Sequence, residues 1–187
     1  VAITGANGFV GRALCKELFY RKIKHIRLQR KKENNVSVID SIGPDTKWEK
    51  ALIGVDTVIH CAGFAHQNKS DSQINLLLYD EINHKGTINL AKQAAEQGVK
   101  RFIFISSIKV NGESSYEIPF KSTDKLNPKD PYSISKQKAE RGLKRIAKNC
   151  KMEIVIIRPP LIYGPSAKGN FKNLIKIINL RIPLPLK

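Results

Sequence analysis

Apolar positions along this chain follow two rhythms. Short, nearly continuous β-branched runs at residues 1–4 (VAIT), 25–28 (HIRL), 36–39 (VSVI), 57–61 (TVIHC), 101–106 (RFIFIS) and 153–158 (EIVIIR) predict strands. Few of them show a polar face, which is the pattern of a parallel sheet covered on both sides. Longer stretches between them repeat at helical spacing: Val10, Leu14, Leu18 and Phe19 within 9–22, Ile88, Ala91, Ala94 and Ala95 within 84–97, and Ala139, Leu143, Ile146 and Ala147 within 134–149. Strand–helix alternation of this kind predicts an α/β, Rossmann-like doubly wound parallel sheet. From Tyr163 onward the rhythm changes to a loop-like YGPSAKGNF and a helix candidate at 171–180. The division expected is a first domain over 1–163 and the start of a smaller region over 164–187.

The first strand runs into Gly5, Gly8 and Gly11, spaced G-x-x-G-x-x-G before the first helix. A tight turn, a close backbone approach to a pyrophosphate and close helix–sheet packing each exclude a Cβ. The helix start then offers unpaired N–H groups and partial positive charge to the phosphates. The strand before and the amphipathic helix after supply the context that a bare glycine triplet lacks. The turn is therefore expected to hold a dinucleotide, NAD(P). A site selective for NAD usually has a carboxylate at the end of the second strand for the ribose hydroxyls. Here that place falls near Gln29, followed by Arg30, Lys31 and Lys32. A cation there would pair with a 2′-phosphate, so the expectation leans to NADP(H) over NAD.

Residues 130–140 read DPYSISKQKAE, with Tyr132 and Lys136 at i and i+4 on one helical face. A phenol titrates near pH 10, and a neighbouring ammonium is expected to lower that toward neutrality. The same lysine can reach ribose hydroxyls. Ser106 and Ser107 end a buried strand, where open α/β sheets bind ligands. Strand residues alternate faces, so one of the two serines is expected to face the site.

With 187 residues, 41% of them hydrophobic and 26% charged, the chain has the composition of a globular domain. No apolar run is long enough for a membrane span. The net charge of +17 invites a nucleic-acid reading, but the lysines are dispersed and no aromatic residues interleave with them. No nucleic-acid partner is expected. Cys15, Cys61 and Cys150 are odd in number and sit inside periodic segments, as reduced cysteines of a cytoplasmic protein would. His60 and Cys61 face opposite sides of a strand, so no metal site is expected from them and His66. The opening on VAITGANG, without a methionine, and the ending LRIPLPLK read as the interior of a longer protein.

The motifs TGANGFVG, VDTVIHCAG, INHKGTINL, FIFISSIKVNG, PYSISK and IIRPPLIYGP occur in this order nearly from end to end. Together they resemble the extended short-chain dehydrogenase/reductases, in particular the NAD-dependent epimerase/dehydratase group acting on nucleotide sugars. The resemblance implies that Ser107 is the catalytic Ser/Thr, Tyr132 the acid/base and Lys136 its charge partner and cofactor ligand. It implies that Gly5, Asn7, Gly8, Phe9, Val10 and Gly11 line the cofactor with Cys61, Ala62, Gly63, Asn83 and Pro159, and that Asn170 and Phe171 join Ser107 and Tyr132 around a UDP-sugar. Two departures stand out: Asn111 replaces the usual tyrosine in VNG, and the ribose-binding acid is absent. SSIKVNGE, with NF after YGP, resembles a subset linked to bacterial surface polysaccharides, whose members include UDP-4-keto-6-deoxy-sugar 4-reductases and UDP-glucose 4-epimerases. The implied chemistry is hydride transfer at sugar C4, in a homodimer built through the helices at 84–97 and 134–149. The alternative is a non-catalytic NAD(P)-sensing protein of the same fold.

Overall fold

The computed structural model describes residues 1–29, 36–38, 41–65, 76–115, 117–164 and 177–179. Six strands form one sheet: β1 (Ala2–Thr4), β2 (Ile26–Gln29), β3 (Val36–Val38), β4 (Thr57–His60), β5 (Arg101–Ile105) and β6 (Glu153–Ile157). Every pairing is parallel, in the order β3-β2-β1-β4-β5-β6. The order reverses beside β1, and at that reversal the carboxyl ends of β1 and β4 leave a crevice.

One face of the sheet packs Ala2, Leu28, Val58, Phe102 and Phe104 against Leu90, Ala91 and Ala94 of α3 (Thr87–Glu96) and Ala139 and Leu143 of α4 (Pro131–Lys148). Burying each large side chain there stabilises the fold by about 2 kcal/mol. On the other face Ile3 and Ala6 meet Leu18 of α1 (Phe9–Tyr20). The short α2 (Glu49–Leu52), which the periodicity did not reveal, follows the fully buried Trp48.

Two expectations are corrected. Helical spacing groups Phe19 with Leu18 on the core face of α1, but Phe19 is 73% exposed, because Leu18 takes the inward position and Phe19 turns outward, edge-on to Tyr20. The helix expected over 84–97 starts earlier: residues 76–78 are helical, Tyr79–Gly86 is a π-helix, and α3 follows directly. A π stretch shifts the side-chain phase, so 3.6-residue periodicity registers only after it. The helix carrying Tyr132 and Lys136 begins at Pro131, as the DPYS stretch leads one to expect, since the fixed φ and missing N–H of proline suit the first turn. Of the helix candidate at 171–180, residues 177–179 are described and are helical; 171–176 and 180 lie outside the described residues, as does nearly all of the region from 164 on.

Candidate active site

The turn after β1 is shaped by its glycines. Gly5 has φ +66°, the left-handed region, and a Cβ on it would meet the Ala62 backbone nitrogen at 2.6 Å. A Cβ on Gly11 would strike the Gly5 carbonyl oxygen. The Gly8 N–H closes the turn onto the Gly5 carbonyl at 2.8 Å. Gly8 is also the N-cap of α1, with no side chain capping the helix start and no acidic residue in its first turn. Asn7 is exposed and Phe9 and Val10 are half-buried around this open end, with the Phe9 ring beside Gly164. A cradle that a Cβ would fill, ending in free N–H groups, fits a pyrophosphate.

The loop leaving β4 forms the other wall. Ala62 donates its N–H to the Thr4 hydroxyl at 3.3 Å, and Thr4 meets His60 Nδ1 at 2.6 Å. His60 Nε2 meets Thr87 at 2.9 Å, and the Thr87 hydroxyl donates to the Asn83 carbonyl at 2.8 Å. Since Thr87 spends its proton on Asn83 and Thr4 accepts from Ala62, His60 is the neutral imidazole with its proton on Nε2. Burial drives its pKa down to about 3, with the Lys136 charge adding to the effect. Asn83, buried in the π-helix, accepts from the Phe64 N–H at 2.7 Å and donates to the Phe64 carbonyl at 2.9 Å and the Ser135 hydroxyl at 3.1 Å. It therefore holds the loop carrying Cys61, Ala62 and Gly63. The Cys61 thiol is raised to about 11, chiefly by burial.

Helix α4 carries Tyr132 and Lys136 to the carboxyl end of β5. Its start is fixed by a capping box in which Asp130 Oδ1 accepts from the Ser133 N–H at 2.7 Å. Lys136, 4% exposed, donates to the Ile105 carbonyl at 3.0 Å and lies over the Phe104 ring at 4.6 Å and the Tyr132 ring at 5.9 Å. The two serines separate as alternation requires. Ser106 is buried and donates to Glu140 at 2.6 Å, while Ser107 stays half-buried and caps the 3₁₀ turn Ile108–Val110. The Pro159 carbonyl accepts from the Ile108 N–H at 3.0 Å, tying the end of β6 to that turn.

The expected lowering of the Tyr132 pKa is not what this pocket provides. Burial raises it, and Asp130 and Tyr79 push the same way. Lys136 is itself lowered to about 8 by burial, against the opposing pull of Cys61 and Glu140. Arg30, Lys31, Asn170 and Phe171 lie outside the described residues. Sequence reasoning missed Tyr79, whose ring lies between Phe64 at 5.1 Å and Tyr132 at 6.1 Å. It also missed the bidentate pair of Glu140 with Arg158. For the latter a signal existed, since Glu140 falls one further turn along the Tyr132–Lys136 face.

A parallel sheet that reverses its order beside a glycine turn defines a dinucleotide-binding Rossmann domain. The chain belongs to the NAD dependent epimerase/dehydratase family, whose model matches residues 1–182. It is 42% identical to a UDP-glucose 4-epimerase of Vibrio cholerae, over 99% of this chain and 58% of that protein. It is 32% identical to the N-acetyl-alpha-D-glucosaminyl-diphospho-ditrans,octacis-undecaprenol 4-epimerase of Escherichia coli O157:H7, over 95% of this chain and 53% of that protein. Among solved structures it superposes on UDP-glucuronic acid 4-epimerase from Bacillus cereus in complex with NAD, with TM-score 0.80 and 25% identity, over 98% of this chain and 64% of that one. The chain thus spans a little over half the length of the curated relatives it matches.

Proposed function

We propose that the protein is a nucleotide-sugar C4 epimerase that uses NAD(P) and a UDP-linked sugar. The observation that carries this reading is the placement of Tyr132 and Lys136 one turn apart on α4, with Lys136 held by the carbonyl two residues before Ser107. When bound, the nicotinamide supplies hydride exchange at C4. Gly5, Gly8 and Gly11 seat the pyrophosphate with Asn7, Phe9 and Val10, while Cys61, Ala62, Gly63, Asn83 and Pro159 line the dinucleotide. Tyr132 takes the proton from the C4 hydroxyl oxygen and returns it, and Ser107 hydrogen-bonds that oxygen. Burial keeps Tyr132 protonated at rest, so its phenolate depends on a charged Lys136. Asn170 and Phe171 hold the UDP-sugar.

Tyr132→Phe is expected to abolish turnover of UDP-glucose or UDP-N-acetylglucosamine while dinucleotide binding, followed by fluorescence, is retained. Turnover at the wild-type rate would remove Tyr132 from the reaction, whereas a wild-type protein that binds dinucleotide and turns over no sugar would favour the sensor alternative. A second reading, a 4-keto-sugar reductase using NADP(H), is favoured by the end of β2, where Gln29 stands in place of an acid ahead of Arg30 and Lys31. Nucleotide released on denaturing freshly purified protein separates the two. Tightly held NAD⁺ supports a self-recycling epimerase, whereas an empty site that prefers NADPH supports the reductase. The soluble substrates and the free Cys15, Cys61 and Cys150 support a cytoplasmic setting. No helix among the described residues is long and apolar enough to cross a membrane. A homodimer through α3 and α4 completes the reading, supported by the exposed Ile134 on α4.

A further inference from the structure

Helix α4 presents Tyr132, Lys136 and Glu140 on successive turns of one face, the last two buried at 4% and 1% exposure. Lys136 donates to the Ile105 carbonyl at 3.0 Å, and Glu140 Oε1 accepts from the Ser106 hydroxyl at 2.6 Å. Neighbouring residues of one strand end are thus gripped by neighbouring turns of one helix, and the next residue in the chain is Ser107. The same carboxylate takes Arg158 Nε at 2.9 Å and Nη2 at 2.6 Å. Arg158 Nη1 goes on to Asn111 Oδ1 and the Ser122 carbonyl, both at 3.2 Å. One carboxylate therefore joins α4, the end of β5, the end of β6 and the loop beyond the 3₁₀ turn.

Building on the C4 chemistry above, we propose that Glu140 is a positioning residue for Ser107, Tyr132 and Lys136, locking α4 to the strand ends and keeping the Lys136 ammonium charged. A neutral side chain could make the first link to Ser106, so the choice of a buried carboxylate needs a reason. Buried ion pairs are weak stabilisers, because desolvation offsets most of their attraction. The surroundings of Lys136 supply that reason. From β4 it faces His60, held neutral with a pKa near 3. From the loop beyond comes the Cys61 thiol, raised to about 11 and so protonated at neutral pH. One turn back lies Tyr132, raised by burial and also protonated, with Tyr79 of the π-helix against it and Asp130 at the helix cap. Cys61 and Glu140 both oppose the effect of burial on Lys136, and with the thiol protonated Glu140 is the carboxylate that does so among the described residues, one turn along the same buried face. Arg158 balances Glu140 on the side of β6 and makes no hydrogen bond to Lys136.

The test titrates Lys136 directly, by NMR of ¹³C-labelled lysine side chains in the full chain, with Lys136→Met assigning the signal. Four proteins are compared: wild type, Glu140→Asp, Glu140→Gln, and Glu140→Gln combined with Arg158→Gln. The Lys136 midpoint is expected to fall by about one pH unit in both proteins carrying Glu140→Gln and to stay near wild type in Glu140→Asp. Thermal unfolding runs beside it. Glu140→Gln alone leaves the half-buried Arg158 without its carboxylate and destabilises the protein, whereas the double variant relieves this and keeps the lowered midpoint. A purely structural role predicts the opposite: stability changes with no change in the Lys136 midpoint. An unchanged midpoint in the folded double variant overturns the proposal. The titration needs neither substrate nor turnover, so a wild-type protein without C4 activity would count against the catalytic reading and a flat titration against Glu140.

Discussion

Lys136 is held at a cost that can be measured. Its pKa is lowered from 10.5 to about 8 inside the fold. Between those values the unfolded chain holds a proton that the folded protein has released, so stability rises with pH across that window. Below pH 8 the full penalty stands, on the order of 3 kcal/mol. Lys136→Met is therefore expected to abolish turnover while raising the unfolding free energy at pH 7 by about 2 kcal/mol, the lost bond to Ile105 offsetting part of the gain. Urea unfolding checks this, and a less stable variant would mean that the ammonium is well solvated. His60 follows the same sign in a lower window, because it too is a base whose pKa burial has lowered. Its folded pKa near 3 lies below the unfolded value of 6.5, so its contribution is complete above pH 6.5 and is lost as pH falls toward 3. His60→Gln should lower stability at pH 7 yet flatten the loss between pH 6.5 and 3, as followed by circular dichroism at stepped pH. The Tyr132–Lys136 pair was legible in the sequence because spacing alone puts the two on one face. The direction of the tyrosine's pKa was not, since it depends on the packing of Phe104, Tyr79 and Asp130 around the pocket.

The ends of the helices show how closely an element can follow its sequence. Helix α3 ends at Gly98, with φ +76°, its N–H on the Ala95 carbonyl at 3.1 Å and the Val99 N–H on the Ala94 carbonyl at 3.0 Å. Helix α1 ends in the same double bond, from Lys22 to Phe19 at 3.0 Å and from Ile23 to Leu18 at 2.9 Å. There, however, the left-handed position is filled by Lys22, with φ +56°. A side chain in that conformation costs about 1 kcal/mol. Lys22→Gly is expected to stabilise the domain by up to about 1 kcal/mol, read as a shifted urea midpoint with an unchanged slope. A loss of stability would show that glycine's greater freedom in the unfolded chain outweighs the relief of strain. Gly98 is the residue such an end favours, and the proline of the DPYS stretch suits the first turn of α4. The π-helix was not readable, because its cause is tertiary: Asn83 turns inward to grip Phe64, a partner nineteen residues away in the chain.

At the scale of the whole molecule the site belongs to no single element. The glycine turn comes from β1, the Gly63 loop from β4, Asn83 from the π-helix, Ser107 from β5 and the Tyr–Lys pair from α4. Alternating runs announced the layers, but only the pairing of β1 with both β2 and β4 brings these pieces to one crevice. Gly63 is where the pieces come closest. A Cβ on it would stand 3.2 Å from Asn83 Oδ1 and 3.2 Å from Lys136 Nζ. Neither neighbour is free to yield, because Asn83 is bonded to Phe64 and Lys136 to Ile105. A methyl group there must push the β4 loop away from α4, toward the space a dinucleotide would take. Gly43 is the control, since an added Cβ meets nothing within 4 Å. A ligand at a hundred times its Kd stabilises a folded protein by about 2.7 kcal/mol. Saturating NAD(P) should therefore raise the melting temperature of wild type and Gly43→Ala alike. Gly63→Ala should unfold within a few degrees of wild type when no nucleotide is added, and lose most of the rise that nucleotide brings. Should Gly63→Ala keep the full rise, the β4 loop and α4 would not share the cofactor wall, and the assembly of the site across the sheet would have to be redrawn.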